Sequence, residues 1–172
     1  MIADHLDALL AGLPLKHVDR AGWVRVGVTE PESVAAHSWG MSWLVLRLCP
    51  PDLDRGRCLA LATLHDLPEV VVGDLTPHDG VSKEDKRARE DAAAQSLLAD
   101  RPDLLGLVRE YADQSTPEAR FVRDLDKLDM ALQALAYRGT ADTREFVASA
   151  RKSATHPVVR VLIAAVVKRL EG

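Results

Sequence analysis

The chain has 172 residues and a mass of 18.8 kDa, with 22 basic and 26 acidic side chains, a net charge of −4 and a pI near 5.8. That length allows one domain around one core, and the mild acidity excludes a surface built mainly for nucleic acid or anionic membranes. At 47% hydrophobic and 28% charged residues it is not disordered, collagen-like or coiled-coil, and its apolar stretches fall far short of the roughly 20 residues of a membrane span.

Almost every segment reads at a helical period and none shows sustained strand alternation, so the expected class is all-α. The N-terminus, Met1-Ile2-Ala3-Asp4-His5-Leu6-Asp7, carries acids where a signal peptide carries Lys or Arg. A short helix spans about Ile2 to Ala11, followed by a loop over residues 12–30 rich in Gly, Pro and charge. Thr29 is predicted to cap a second helix that takes Glu30, Pro31 and Glu32 into its first turn and runs to about Leu48, before Pro50-Pro51. Asp52 or Asp54 starts a third, apolar at Leu59, Leu61, Ala62 and Leu64 and continuing into His65-Asp66. Gly73 and Pro77 break the chain, and Ser82 opens a helix whose charge run, Lys83 to Asp91, reads as a solvated face with i,i+4 pairs. Asp100-Arg101-Pro102-Asp103 turns into a fifth helix. Ser115-Thr116-Pro117-Glu118 reads as a capping box that launches a long helix to about Tyr137. Gly139-Thr140 and His156-Pro157 punctuate the last two helices. The final one carries Val158, Val161, Leu162, Ala165, Val166 and Leu170, which suit a core or an interface equally. Cys49 and Cys58, in apolar surroundings, read as buried free thiols, and no repeat or linker divides residues 1–172.

Four of the six histidines, His5, His17, His78 and His156, fall at element ends or in loops, where exposed or capping roles are expected. His37 and His65 instead sit inside predicted helices among small and apolar neighbours. His65 is followed by Asp66, Glu69 and Asp74, with no Lys or Arg between residues 58 and 82 to pair them locally. Buried carboxylates require a compensating cation, and Asp126 is a further acid on an amphipathic helix. His37, His65, Asp66 and Asp126 together offer two imidazoles and two carboxylates. That set suits one divalent ion of the Mn²⁺, Co²⁺, Zn²⁺ or Fe²⁺ kind rather than the all-oxygen preference of Ca²⁺, and leaves positions for water and substrate. Glu69, three residues after Asp66, is placed to deprotonate a water on that face, and Asp74 to reach the other side of the reacting group.

The order His37…His65-Asp66…Asp126 resembles the HD-domain metal-dependent phosphohydrolases. Five blocks are similar to their 5′-deoxynucleotidase subfamily: Leu15 to Trp23, Glu32 to His37, Leu64 to Glu69 with Val72 to Pro77, Lys83 to Glu90, and Glu118 to Leu128. They cover roughly residues 15–138, leaving C-terminal helices over 140–171. The resemblance implies a single HD-domain helical bundle with a mononuclear metal on His37, His65, Asp66 and Asp126. It also implies Glu69 as general base, Asp74 serving the leaving 5′ oxygen, Arg20 on the phosphate, Trp23 lining the sugar pocket and Lys83 near the phosphate. The implied substrate is a nucleoside 5′-monophosphate, attacked by water to release nucleoside and phosphate. The implied state is a cytoplasmic homodimer, with no nucleic-acid or membrane partner. Two departures, Ala36 where relatives carry an acid and Pro68 where they carry a small residue, touch the pocket without removing a ligand. Pro68 is expected to bend the third helix. The alternatives are an HD-domain phosphatase for a specialised nucleotide or other small phosphate ester, another HD-fold enzyme (a dinuclear iron oxygenase, or a hydrolase of cyclic dinucleotides or (p)ppGpp), and a non-catalytic helical module. The dinuclear reading needs extra histidines where only His78 is available.

Overall fold

The computed structural model describes residues 2–171, with side chains described from Leu6 onward, so the reading of His5 lies outside them. Helices carry the chain in the order α1 Ile2–Ala11, a 3₁₀ turn Leu13–His17, α2 Ala21–Arg25, α3 Val34–Leu48, α4 Arg55–Leu64, α5 Glu69–Val72, α6 Lys83–Leu97, α7 Pro102–Asp113, α8 Pro117–Ala136, α9 Arg144–Ser153 and α10 Pro157–Glu171. Among the described residues there is no β-strand, only the isolated bridges Asp19–Ser33 and Arg138–Ala141. No helix among them is long and apolar enough to cross a membrane.

Three boundaries differ from the sequence reading, each for a backbone reason. Residues 12–30 are not a plain loop. Pro14 opens the 3₁₀ turn, and α2 follows before Gly27 (φ +85°) reverses the chain. The second long helix starts at Val34, not after Thr29. The backbone at 32–34 pairs instead with residues 18–20 (Arg20 N to Glu32 O 3.0 Å, Val34 N to Val18 O 2.8 Å), and the Ser33 hydroxyl caps it by accepting from Ala36 N. The third helix stops at Leu64 rather than bending. Pro68 has no N–H to continue the ladder, so residues 65–68 form a turn and Pro68 becomes the N-cap of α5. A fourth, smaller shift is that Thr116, one residue past Ser115, caps α8 by accepting from Ala119 N. Asp54 caps α4 and Ser82 caps α6 as expected.

Helix α8 is the axis of the core. Its buried residues Phe121, Val122, Leu125, Leu128 and Ala131 pack against Met41 and Val45 of α3, Leu61 of α4, and Val159 and Ile163 of α10. Each fully buried aliphatic side chain of this kind contributes about 1.5–3 kcal/mol of transfer free energy. On α10 the buried line is Val159, Ile163 and Val166, while Val158 and Val161 face solvent, so only part of its apolar surface is used in the core. A second cluster gathers Trp23, Val28, Ala134 and Val147, and a third joins Ala94, Leu98 and Val108 to Leu64 and Leu67. Leu64 and Leu67, which flank His65 and Asp66, anchor the α4–α5 turn in the third cluster. Cys49 and Cys58 are free thiols, Cys58 buried and Cys49 half-buried.

Candidate active site

Four histidine and aspartate side chains meet where α3, α4 and α8 converge. His37 lies in the first turn of α3 and His65 is the C-cap of α4, so neither sits deep inside a helix as the periodicity suggested. His37 Nε2 is 3.3 Å from His65 Nε2, 3.5 Å from Asp126 Oδ1 and 3.7 Å from Asp66 Oδ2. His65 Nε2 is 3.0 Å from Asp66 Oδ2. His37, His65 and Asp126 each present one donor atom within 4.8 Å of the others. All three are buried, and the Asp66 side chain is 18% exposed.

The other ring nitrogens decide the tautomers. His37 Nδ1 is 2.7 Å from Asp129 Oδ2 and His65 Nδ1 is 2.9 Å from the Ala62 carbonyl. An ionised carboxylate and a carbonyl only accept, so each Nδ1–H donates and each Nε2 faces inward. Two Nε2 atoms facing each other at 3.3 Å beside two carboxylates call for positive charge among them, a proton or a metal ion. The acid–base balance shows the same demand. Burial and the Arg20 charge act to strip the proton from His37, yet Asp126 and Asp129 outweigh them and hold the imidazole up at about 9. Burial acts to raise Asp66 and Asp126, but their partners hold both well below the usual carboxylate range: His65, Arg20 and His37 for Asp66, and Lys127 and His37 for Asp126. The donor set, two imidazoles with oriented Nδ1 contacts and two ionised carboxylates, fits a borderline divalent ion that would take the place of the inner proton on His37.

The cations absent from residues 58–82 arrive from elsewhere in the chain. Arg20, at the start of α2, places Nη1 3.5 Å from Asp66 and 3.6 Å from Asp74. The Asp19–Ser33 bridge fixes its backbone beside the start of α3. Asp74, released from α5 by Gly73 (φ +74°), accepts from the Ala21 amide at 2.9 Å, which satisfies an orphan donor of α2 and aims that carboxylate at Arg20. Lys127 Nζ lies 2.8 Å from Asp126, and Lys86 donates to the Leu75 carbonyl at 2.7 Å, tying α6 to the loop that carries Asp74.

Glu69 opens α5 and is 3% exposed, and its Oε2 has no hydrogen-bond partner. It reaches the site from a separate short helix, not from the same helix face as Asp66. Burial pushes its carboxyl up to about 10, reinforced by Asp66 and Asp74 and opposed by Arg20 and Lys86. Trp23 is a core residue that also borders the cavity. It is 2% exposed in the second cluster, its ring lies 4.2 Å from Phe146, and its Nε1–H is donated to Glu32 at 3.0 Å. It also lines a cavity of about 1110 Å³ shared by Arg20, Asp66, Glu69, Asp74 and Asp126. Lys83 lines the same cavity from the exposed first turn of α6 and makes no ion pair among the described residues.

Sequence reasoning missed Asp129, Lys127, Lys86 and Tyr111, which lines the cavity with its ring 4.9 Å from His65. Of these, Asp129 had a readable signal, since it follows Asp126 by three residues and so shares its helix face. His78 is exposed on the rim of the same cavity without joining the His37–His65–Asp126 cluster, and His156, which starts the turn into α10 with its amide donated to Asp124, does not line the cavity.

A family model described as HD domain matches residues 14–162. The 5′-deoxynucleotidase hdd1 of Schizosaccharomyces pombe is 38% identical over 159 residues, covering 85% of this chain and 80% of that protein. The 5′-deoxynucleotidase HDDC2 of Danio rerio is 39% identical over 158 residues, covering 87% and 79%. Among solved structures, the PH0347 protein of Pyrococcus horikoshii OT3 superposes with a TM-score of 0.81 at 31% identity, covering 95% of this chain and 99% of that one. The matched span contains every residue of the cluster described above, and the chain belongs to the HD domain family.

Proposed function

We propose that the chain is a metal-dependent phosphomonoesterase that hydrolyses (deoxy)nucleoside 5′-monophosphates to nucleoside and phosphate. The observation that carries the reading is the convergence of two Nε2 atoms and the Asp66 and Asp126 carboxylates at one end of a cavity that also holds Arg20 and an unpartnered Glu69 oxygen. The relatives named 5′-deoxynucleotidase support the substrate class.

His37, His65, Asp66 and Asp126 are the proposed holders of one divalent ion, Mn²⁺, Co²⁺, Zn²⁺ or Fe²⁺. Such an ion supplies positive charge to the phosphoryl group and makes water a stronger acid. Arg20 turns its remaining guanidinium donors to the phosphate, a task suited to its permanent charge and forked geometry. Glu69 Oε2 takes the proton of the attacking water. A carboxyl whose proton affinity is raised by its surroundings is a strong base once a cation offsets the neighbouring carboxylates. Asp74, held by the Ala21 amide, faces the leaving 5′ oxygen. Trp23, locked by Glu32, forms the apolar wall for the sugar, and Lys83 adds charge at the mouth.

The shared helices of the three apolar clusters support reading residues 1–172 as one domain, and the two free thiols support a cytoplasmic setting. The subfamily resemblance and an exposed apolar stripe on α3, Trp39, Trp43 and Leu46, support a homodimer.

The test is phosphate release from ribo- and deoxyribonucleoside 5′-monophosphates by protein stripped of metal and reloaded with Mn²⁺, Co²⁺ or Mg²⁺. Asp66→Ala is expected to lose both bound metal and turnover. Glu69→Ala is expected to keep metal and lose turnover by about 10²-fold or more. Full metal stoichiometry in Asp66→Ala would remove it from the ligand set. Metal binding without release from any nucleotide would overturn the substrate class while leaving the metal centre standing.

A further inference from the structure

Tyr111, from the last turns of α7, is 7% exposed, and its hydroxyl oxygen is buried with no hydrogen-bond partner among the described residues. Arg123 stands beside it, and a guanidinium only donates, so the phenol proton finds no acceptor there. The hydroxyl is therefore a donor with nothing to donate to. Buried polar groups are overwhelmingly paired, so an orphan donor in a folded chain calls for a specific partner. Its position says which kind. The Tyr111 ring packs on His65 at 4.9 Å between centroids, tilted by 57°, and both residues line the cavity that holds Arg20, Asp66 and Asp126. Beside it stands Arg123, one turn before Asp126 on the same face of α8. Arg123 also lines the cavity and makes no ion pair among the described residues, whereas Arg25, Arg87 and Arg109 around the same rim are each matched to a carboxylate. An unmatched donor next to an unmatched guanidinium, against one of the paired imidazoles, forms a receptor for an anion.

We infer that the Tyr111 hydroxyl donates a hydrogen bond to a non-bridging oxygen of the phosphoryl group, with the Arg123 guanidinium beside it as the cationic partner of that contact. The assignment rests on the phosphomonoesterase reading for its ligand. It adds a contact from α7 and α8 to the one that Arg20 makes from α2. A donor aimed at phosphoryl oxygens is stronger when the charge on those oxygens increases, so the contact serves the transition state as well as the bound ester.

The experiment compares the full chain, loaded with Mn²⁺, as wild type and as Tyr111→Phe, for binding of inorganic phosphate by calorimetry. Phosphate release from a nucleoside monophosphate, metal stoichiometry and Tm are measured in parallel. The substitution removes one oxygen and keeps the ring on His65. Expected are a loss of phosphate affinity and of kcat/KM of about tenfold or more, unchanged metal content, and a Tm equal to or above that of wild type, because the lost hydroxyl satisfied nothing within the chain. Affinity within twofold of wild type, or no phosphate binding by wild type itself, overturns the assignment. So does a fall in Tm accompanying the loss, which would make the hydroxyl structural. Phosphate binding that depends on Tyr111 in a protein that hydrolyses no nucleotide supports the contact and overturns the substrate class alone.

Discussion

Asp129 shows how a single residue outside the expected set shapes the site. Its Oδ2 accepts from His37 Nδ1 at 2.7 Å, and this one bond selects the tautomer that points Nε2 at His65. The room for that carboxylate comes from Gly40, where a Cβ would stand 2.4 Å from Asp129 Oδ1. Carboxylates that orient a ligating imidazole are worth about 10–100-fold in metal affinity. Asp129→Asn is expected to weaken Mn²⁺ binding by about tenfold or more in competition with a chelator. Gly40→Ala, which touches no proposed ligand, is expected to do the same by displacing the carboxylate. Unchanged affinity in both variants would reduce Asp129 to a packing residue. The i,i+3 spacing of Asp126 and Asp129 was visible in the sequence, but the partnership of Asp129 with a glycine 89 positions earlier depends on how α3 crosses α8. The same holds for Asp74, legible as an acid beyond Gly73 but not as the acceptor for the Ala21 amide.

Helix boundaries decide where these side chains stand, and side chains from distant elements hold several of those boundaries. Asp124, buried at 4% on α8, accepts from the Thr155 amide and hydroxyl at 3.0 and 2.9 Å and from the His156 amide, and so pins the turn between α9 and α10. Glu110 joins three helices: it pairs with Arg57 of α4 and accepts from the Thr116 hydroxyl that caps α8. Asp124→Ala leaves up to three donors without their charged acceptor and is expected to cost about 2–4 kcal/mol in urea unfolding. Because the turn lies away from His37 and His65, metal affinity at saturating folded protein is expected to stay unchanged. A stability loss below about 0.5 kcal/mol would mean that water replaces the carboxylate there. Local signals located the starts of α4, α6 and α7 to within a residue or two, through the Asp54 and Ser82 caps and Pro102 at the first turn. They misplaced the start of α3, where pairing of residues 32–34 with 18–20 overrides the Thr29 cap.

At the scale of the molecule, α8 brings the parts together: it packs against α3, α4 and α10 on one side, presents Asp126 and Lys127 at the cavity on another, and holds Asp129 behind His37. The surface it leaves free includes Trp39, Trp43 and Leu46, spaced i, i+4, i+7 on α3 and 71%, 50% and 53% exposed. Light scattering on a size-exclusion column is expected to give twice 18.8 kDa for the wild type. The double variant Trp39→Lys with Trp43→Lys is expected to give the single-chain mass. A dimer that survives both substitutions would place the interface elsewhere, and a wild-type monomer would end the homodimer reading.

The amino-acid sequence by itself determined the helical class, most of the caps, and the ordered set His37, His65-Asp66, Glu69, Asp74 and Asp126, because periodicity, capping chemistry and residue type are local properties. Tertiary structure alone decided what those groups face. It carried Arg20 across more than 40 positions to Asp66 and Asp74, broke the chain at Pro68 so that Glu69 enters from its own short helix, and turned both Nε2 atoms inward through Asp129 and Ala62. It also left the Tyr111 hydroxyl buried and unmatched beside them. Charges and hydrogen bonds act over a few ångströms of space, and the chain's fold sets those distances between residues that lie far apart in sequence.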